Sequence, residues 1–214
     1  MAKRKYTNTY TSVTQALAIL RKIGLEIWFK QNTAEFCDNK SKLGKKVGTE
    51  IHDAIELFIN EGTTDFETDH PEQVGTALKS FAKFREERPE IELTLTEIAL
   101  TSEKHKFNGT IDCIGDKALI DWKTGEAKKE DKPKIYDEYK YQVAAYVYLW
   151  NEVHKDNIEK AYIVAIAKDK VGYNVYEMDK QEIDDCFIYA FLPALKICNY
   201  QKLIKSNKNY YNKG

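Results

Sequence analysis

From Ser12 to Trp28 the apolar residues Val13, Leu17, Leu20 and Leu25 recur at the interval that aligns side chains on one helical face, with Ser12 and Thr14 as candidate N-caps. This spacing predicts one amphipathic helix. After a polar, basic stretch from Asn39 to Lys46, Val47, Ile51, Ile55 and Phe58 mark the core stripe of a second helix, which Gly62 is expected to stop. Val74, Leu78, Phe81 and Phe84 predict a third, ending before Pro89.

The period then changes. Leu93, Leu95, Glu97 and Ala99 alternate with Thr94, Thr96, Ile98 and Leu100, as in an extended chain. Two further strands, Phe107–Ile114 and Lys117–Thr124, flank Gly115-Asp116, a dipeptide of the kind that closes a hairpin. Helical spacing returns from Glu138 to Val153, strands are expected at Ala161–Ala167 and Tyr173–Met178, and a long helix from Gln181 to about Ile204 closes the chain. No internal repeat or low-complexity linker interrupts the order.

Composition narrows the class rather than the function. With 214 residues, 43% hydrophobic and 31% charged, the chain is expected to fill one core. The expectation is a single unit over 1–214: a helical part (1–90), a sheet with its helix (91–180), and a C-terminal helix with a basic tail (181–214). A net charge of -1 gives no global attraction to polyanions, so any nucleic-acid contact must be local. Cys37, Cys113, Cys186 and Cys198 are scattered, and Lys3, Arg4 and Lys5 are followed by polar residues. No apolar run approaches the ~18 residues of a membrane span. A soluble, cytoplasmic protein with no membrane partner is expected; no protein partner is indicated.

The chemistry concentrates in ALIDWKTG. The two-residue side-chain period of a strand puts Asp121 and Lys123 on one face and Trp122 on the other. A two-residue Gly115-Asp116 turn would pair Asp112 with Leu119 on that same face; a four-residue loop would set Asp112 directly opposite Asp121; an odd-length loop would turn it away. Two carboxylates so close repel unless a cation lies between them, and their hard oxygens suit Mg2+ or Mn2+. Lys123 beside them would stabilise an attacking hydroxide and the charge building on a phosphoryl oxygen. An isolated Asp-x-Lys is more often a surface ion pair; here the neighbours matter.

Gly109-Thr110-Ile111-Asp112, followed by Asp121-Trp122-Lys123 and then by Gln142 and Tyr146, resembles the RecB-like nuclease branch of the PD-(D/E)xK superfamily. His52, in Gly48-Thr49-Glu50-Ile51-His52, looks like that branch's upstream histidine. Ser12-Val13-Thr14 with Trp28 is similar to the N-terminal segment of mitochondrial-genome-maintenance-type exonucleases, so the resemblance runs from Ser12 to Tyr146. It implies an α/β restriction-endonuclease-like fold, a mixed sheet of about five strands flanked by helices, with the active face on the second and third. It implies metal ligation by His52, Asp112, Asp121 and the backbone carbonyl of Trp122, with Glu97 as an accessory acidic residue and Lys123 orienting water. Gln142 and Tyr146, four apart on one helix face, would position water, the lysine or a substrate phosphate. The implied reaction is hydrolysis of DNA phosphodiesters, as an exonuclease on single strands or free ends. A non-catalytic nucleic-acid-binding domain and a structure-specific endonuclease are the alternatives.

Some relatives of this branch carry a four-cysteine iron–sulfur cluster with three closely spaced late cysteines. Cys186 and Cys198 are far apart and no third follows, so no iron–sulfur cluster is expected, and buried thiols instead. Basic residues gather at Lys3, Arg4 and Lys5 and at Lys196, Lys202, Lys205, Lys208 and Lys213, with Tyr200, Tyr210 and Tyr211 interleaved; these suit single-stranded nucleic acid or simply a solvated terminal helix. The charged loop GEAKKEDKPK after Lys123 could cover the cleft, but its mixed signs are poor evidence of binding.

Overall fold

Ser12 does open a helix, but a short one. In the computed structural model, which describes residues 9–20, 22–127 and 132–211, with side chains described at neither 23 nor 207–211, β1 (Thr11–Ser12) leads into α1 (Val13–Leu17). Ser12 Oγ accepts the Gln15 N–H and Gln15 Oε1 accepts the Ser12 N–H, closing a reciprocal cap. The chain breaks before α2 (Ile23–Gln31), so the single helix expected over Ser12–Trp28 is corrected to two. Packing decides this: Val13, Ala16 and Leu17 are buried, whereas Leu25, Ile27 and Phe29 remain exposed with no core to hold the stripe in line. Lys3, Arg4, Lys5 and Lys213, the side chains of Lys208, Tyr210 and Tyr211, and loop positions 128–131 lie outside the described residues.

Thr33 caps α3 (Ala34–Glu61), which takes in the polar Asn39–Lys46 stretch; those residues mostly face solvent, where lysine and asparagine cost a helix little. Gly62 ends it in the left-handed region at φ 70°, its N–H donating to the Phe58 carbonyl. In α4 (Pro71–Glu87) a proline fills the first turn, where its missing N–H costs nothing.

Five longer strands follow: β2 (Leu95–Ser102), β3 (Phe107–Gly115), β4 (Ala118–Gly125), β5 (Lys160–Ala167) and β6 (Tyr173–Met178), with α5 (Asp137–His154) between β4 and β5. The sheet is mixed and six-stranded, ordered β1-β3-β4-β5-β6 with β2 on the other edge of β3. α5 carries the parallel crossover from β4 to β5. Helices cover both faces. Leu119 and Ile163 pack with Val143 and Leu149 of α5 on one side; Ile120, Trp122, Val164 and Ile166 pack with Ile51 and Ile55 of α3 and Phe81 and Phe84 of α4 on the other. The six strands include the two-residue β1, which no alternation could reveal.

The hairpin turns at Asp116-Lys117 rather than Gly115-Asp116, since Gly115 pairs with Ala118 and Lys117 takes the left-handed φ of 54°. Gly115 serves a close approach instead: a Cβ there would lie 1.9 Å from the Glu92 carbonyl oxygen. We expect Gly115→Ala to cost roughly 1–3 kcal/mol and to lower the melting temperature, while Gly75→Ala, whose Cβ meets nothing within 4 Å, leaves it unchanged or raises it. Equal melting curves for the two variants would contradict this.

The final helix is also corrected. α6 (Lys180–Asp185) passes through a π-helical stretch, Cys186–Phe191, into α7 (Leu192–Tyr211). Pro193 has no N–H and its ring would clash with the carbonyl one turn earlier; the wider turn, with the Leu192 N–H donating to the Phe187 carbonyl, makes room. Cys37, Cys113 and Cys198 are buried, but Cys186 is only partly so. Lys196, Lys202 and Lys205 are exposed, and the Lys202 ammonium donates to Thr11 Oγ1 (2.8 Å) and Gln15 Oε1 (3.3 Å). No helix among the described residues is long and apolar enough to cross a membrane.

Candidate active site

The sheet forks at the carboxylates. β3 and β4 pair only over Cys113↔Ile120, Ile114↔Leu119 and Gly115↔Ala118. That register sets Asp112 across from Asp121, the pairing expected of a four-residue loop but reached here by a two-residue turn at Asp116-Lys117, and the ladder stops one residue short of them. β1 takes the same edge of β3 at Phe107 and Asn108, so a gap opens between the two pairings. The Asp112 carboxylate fills part of it, accepting the Trp122 N–H at 2.9 Å in place of a ladder bond. An extended residue directs its N–H and C=O to the same edge, so the Trp122 carbonyl faces the gap too. Its indole packs edge-on against Phe81 and Phe84, fixing β4 beneath the site.

Around the fork, three groups converge: ligand atoms of His52, Glu97 and Asp112 lie within 4.8 Å of one another. His52 comes from α3, its Nδ1 3.7 Å from Asp112 Oδ2. Glu97 comes from β2, where it faces the Asp112 position in register yet adopts φ 50° inside a strand. A non-glycine residue held there costs on the order of 1–3 kcal/mol, a strain that concentrates at functional sites. The kink also switches faces: Ile111 packs on the α5 side and Cys113 on the α3 side.

Asp121 is fully buried, and neither of its oxygens has a hydrogen bond among the described residues. Lys123 Nζ stands 2.6 Å from its Oδ2, an ion pair whose pull opposes the burial of this carboxyl. Lys123 also donates to Gln142 Oε1 at 3.3 Å, and Gln142 Nε2 donates to Tyr146 Oη at 3.0 Å. Gly109 is what lets Tyr146 lie on β3: a Cβ there would fall 2.7 Å from the ring. Tyr139 was not among the residues singled out from sequence, although it sits three before Gln142 on the same helix face; its ring centre is 5.2 Å from the ammonium.

Burial dominates the electrostatics. It raises the Asp121 carboxyl to about 6 against the opposing pull of Lys123, and raises Asp112 against Lys123 and the Trp122 N–H. It pushes His52 down to about 4, helped by the Lys123 charge, so the imidazole is neutral at pH 7 with a lone pair to offer. A buried carboxylate with both oxygens stripped of hydrogen bonds, beside a carboxylate–imidazole–carboxylate cluster, is a donor set that fits a hard divalent cation.

Asp121 is raised above its unfolded value of 3.8, so the folded state holds a proton that the unfolded state releases. Its effect on stability is nil below about 4, and turns unfavourable as pH rises to about 6 and beyond. In chelator, Asp121→Asn should therefore gain melting temperature relative to the native protein between pH 4 and pH 7. A difference that stays flat with pH would rule out the strained carboxylate.

A sequence model of the PD-(D/E)XK nuclease superfamily matches residues 66–190, a span that takes in Glu97, Asp112, Asp121, Lys123, Gln142 and Tyr146 but not His52. No curated protein matches. Among solved structures, a putative exonuclease from Eubacterium rectale is similar in fold, with a TM-score of 0.57 at 15% identity over 89% of this chain and 81% of its own. An alkaline exonuclease from Laribacter hongkongensis aligns at 16% identity over 92% and 94%, with a TM-score of 0.42. A phage related exonuclease from Haemophilus somnus aligns at 16% over 72% and 81%, with a TM-score of 0.37.

Proposed function

This chain belongs to the PD-(D/E)XK nuclease superfamily, and from that premise we propose that it is a divalent-metal-dependent DNA exonuclease of the RecB-like branch, acting through residues 1–214 as one unit on single strands or free ends. The observation that carries the reading is the fork: two aspartates at facing positions where β3 and β4 part, Asp112 clustered with His52 and Glu97 and Asp121 in contact with Lys123.

His52, Glu97, Asp112, Asp121 and the Trp122 carbonyl would hold Mg2+ or Mn2+, which supplies Lewis acidity toward the scissile phosphate and charge neutralisation at its oxygens. The remaining work falls to the chain itself. An ammonium has three protons; Asp121 and Gln142 engage Lys123 on two sides, and its remaining donor capacity serves to align an attacking water and to offset charge building on the phosphoryl oxygen. Gln142 is held by Tyr146, and Tyr146 by its seat over Gly109, so the lysine is oriented before substrate arrives. Asp112 keeps the strands apart at a fixed width through the Trp122 N–H.

Linear and covalently closed circular DNA, single- and double-stranded, incubated with Mg2+ or Mn2+ beside a Lys123→Ala control, tests the proposal. Short products from linear substrates alone are expected. Cleavage of closed circles would make it an endonuclease, and no metal-dependent product from any substrate would leave a binding module.

A further inference from the structure

Two tyrosine rings lead outward from Lys123. The Tyr139 ring lies against the ammonium at 5.2 Å, Tyr136 meets Tyr139 edge-on at 5.4 Å and 88°, and Lys134 Nζ stands 5.8 Å from the centre of the Tyr136 ring. Tyr136 is 46% exposed although the backbone leading to it is pinned. Pro133 is buried close against Gly125, its carbonyl accepts the Asn174 side-chain N–H at 3.1 Å, and Ile135 packs on the core. The two acidic residues after Tyr136 are already in ion pairs, Asp137 with Lys140 at 3.9 Å and Glu138 with Lys22 at 3.3 Å. What this leaves is a half-exposed ring on pinned backbone with an exposed cation beside it.

We propose that Tyr136 is a stacking platform for an unpaired base of the substrate next to the phosphate held at the fork, with Lys134 taking the adjoining phosphate. A lone exposed tyrosine is ordinary on a protein surface. This one is joined to the catalytic ammonium by two ring contacts and stands on rigid backbone, so a base laid on it is placed at low entropic cost. Stacking needs only a π-face and tolerates any base, whereas a base paired in a duplex has its faces covered by neighbours. The platform therefore favours single strands or frayed ends. The identity of the bound chain rests on the nuclease reading above, but the platform is separable from it by experiment.

The test uses the full chain, its Tyr136→Ala and Tyr136→Phe variants, a linear single strand, and an entirely abasic strand of equal length. With Mn2+, Tyr136→Ala is expected to raise KM on the intact strand roughly ten-fold while kcat stays nearly constant. Tyr136→Phe keeps the native KM, and on the abasic strand the native protein and Tyr136→Ala have equal KM. Anisotropy of the same labelled strands in chelator should repeat the pattern in Kd. An unchanged KM and Kd for Tyr136→Ala, or an equal loss on intact and abasic strands, would overturn the platform. Base-dependent, Tyr136-dependent binding without cleavage of any strand would uphold the platform and sink the nuclease reading; cleavage without that dependence would do the reverse.

Discussion

Asp112→Asn is expected to abolish metal-dependent cleavage, by a factor on the order of 10^3 or more, without unfolding the protein. Asparagine keeps an oxygen that can accept the Trp122 N–H, so the local geometry of the fork survives. What disappears is the negative charge at the centre of the His52–Glu97–Asp112 cluster, and with it most of the attraction for a divalent cation. Because burial already raises the Asp112 carboxyl, the neutral variant should be no less stable than the native protein in chelator. The native protein should gain melting temperature on addition of Mn2+; the variant should not. Initial rates and melting curves with and without Mn2+ check both halves, and a variant that still cleaves at the native rate would remove Asp112 from the site.

Lys123→Ala should separate chemistry from metal binding. Its kcat is expected to fall by about 10^2 to 10^4, the range for losing a positioned charge or proton-transfer group in a water-poor site. Mn2+ affinity should hold or rise, because the ammonium that competes for Asp121 has gone. The same change strands Asp121, which is fully buried, without its cation, so in chelator the variant should be destabilised by roughly 3–5 kcal/mol, a deficit that Mn2+ reduces. Calorimetry for Mn2+ binding, steady-state rates and denaturant melts measure the three effects. Weaker Mn2+ binding with kcat intact would show that the lysine serves structure alone.

The alternation of ALIDWKTG was enough to put Asp121 and Lys123 on one face, because a strand's side-chain period is local and β4 is regular. Four-residue spacing was likewise enough to pair Gln142 with Tyr146. The fork itself was not legible. Whether Asp112 and Asp121 are joined by ladder bonds depends on β1 sharing an edge of β3, and a two-residue strand has no periodicity to read. Glu97 is named through the family resemblance alone, because alternation presumes ordinary backbone angles and its φ of 50° inverts the side-chain phase at that point. Gly115 looked like a turn residue but answers to the Glu92 carbonyl, a contact that only tertiary packing creates. Pro193 stands in the last helix without ending it, because the wide turn before it accommodates the ring while Phe187 and Phe191, both within that turn, stay buried.

Crystals soaked in Mn2+ and measured at the manganese absorption edge would test the metal cage directly. An anomalous peak between the strands, within coordinating distance of Asp112 and of His52 or Glu97 and adjacent to Asp121, is the predicted result. Manganese bound elsewhere with none at the parting of β3 and β4, or those side chains turned outward in the soaked crystal, would contradict it.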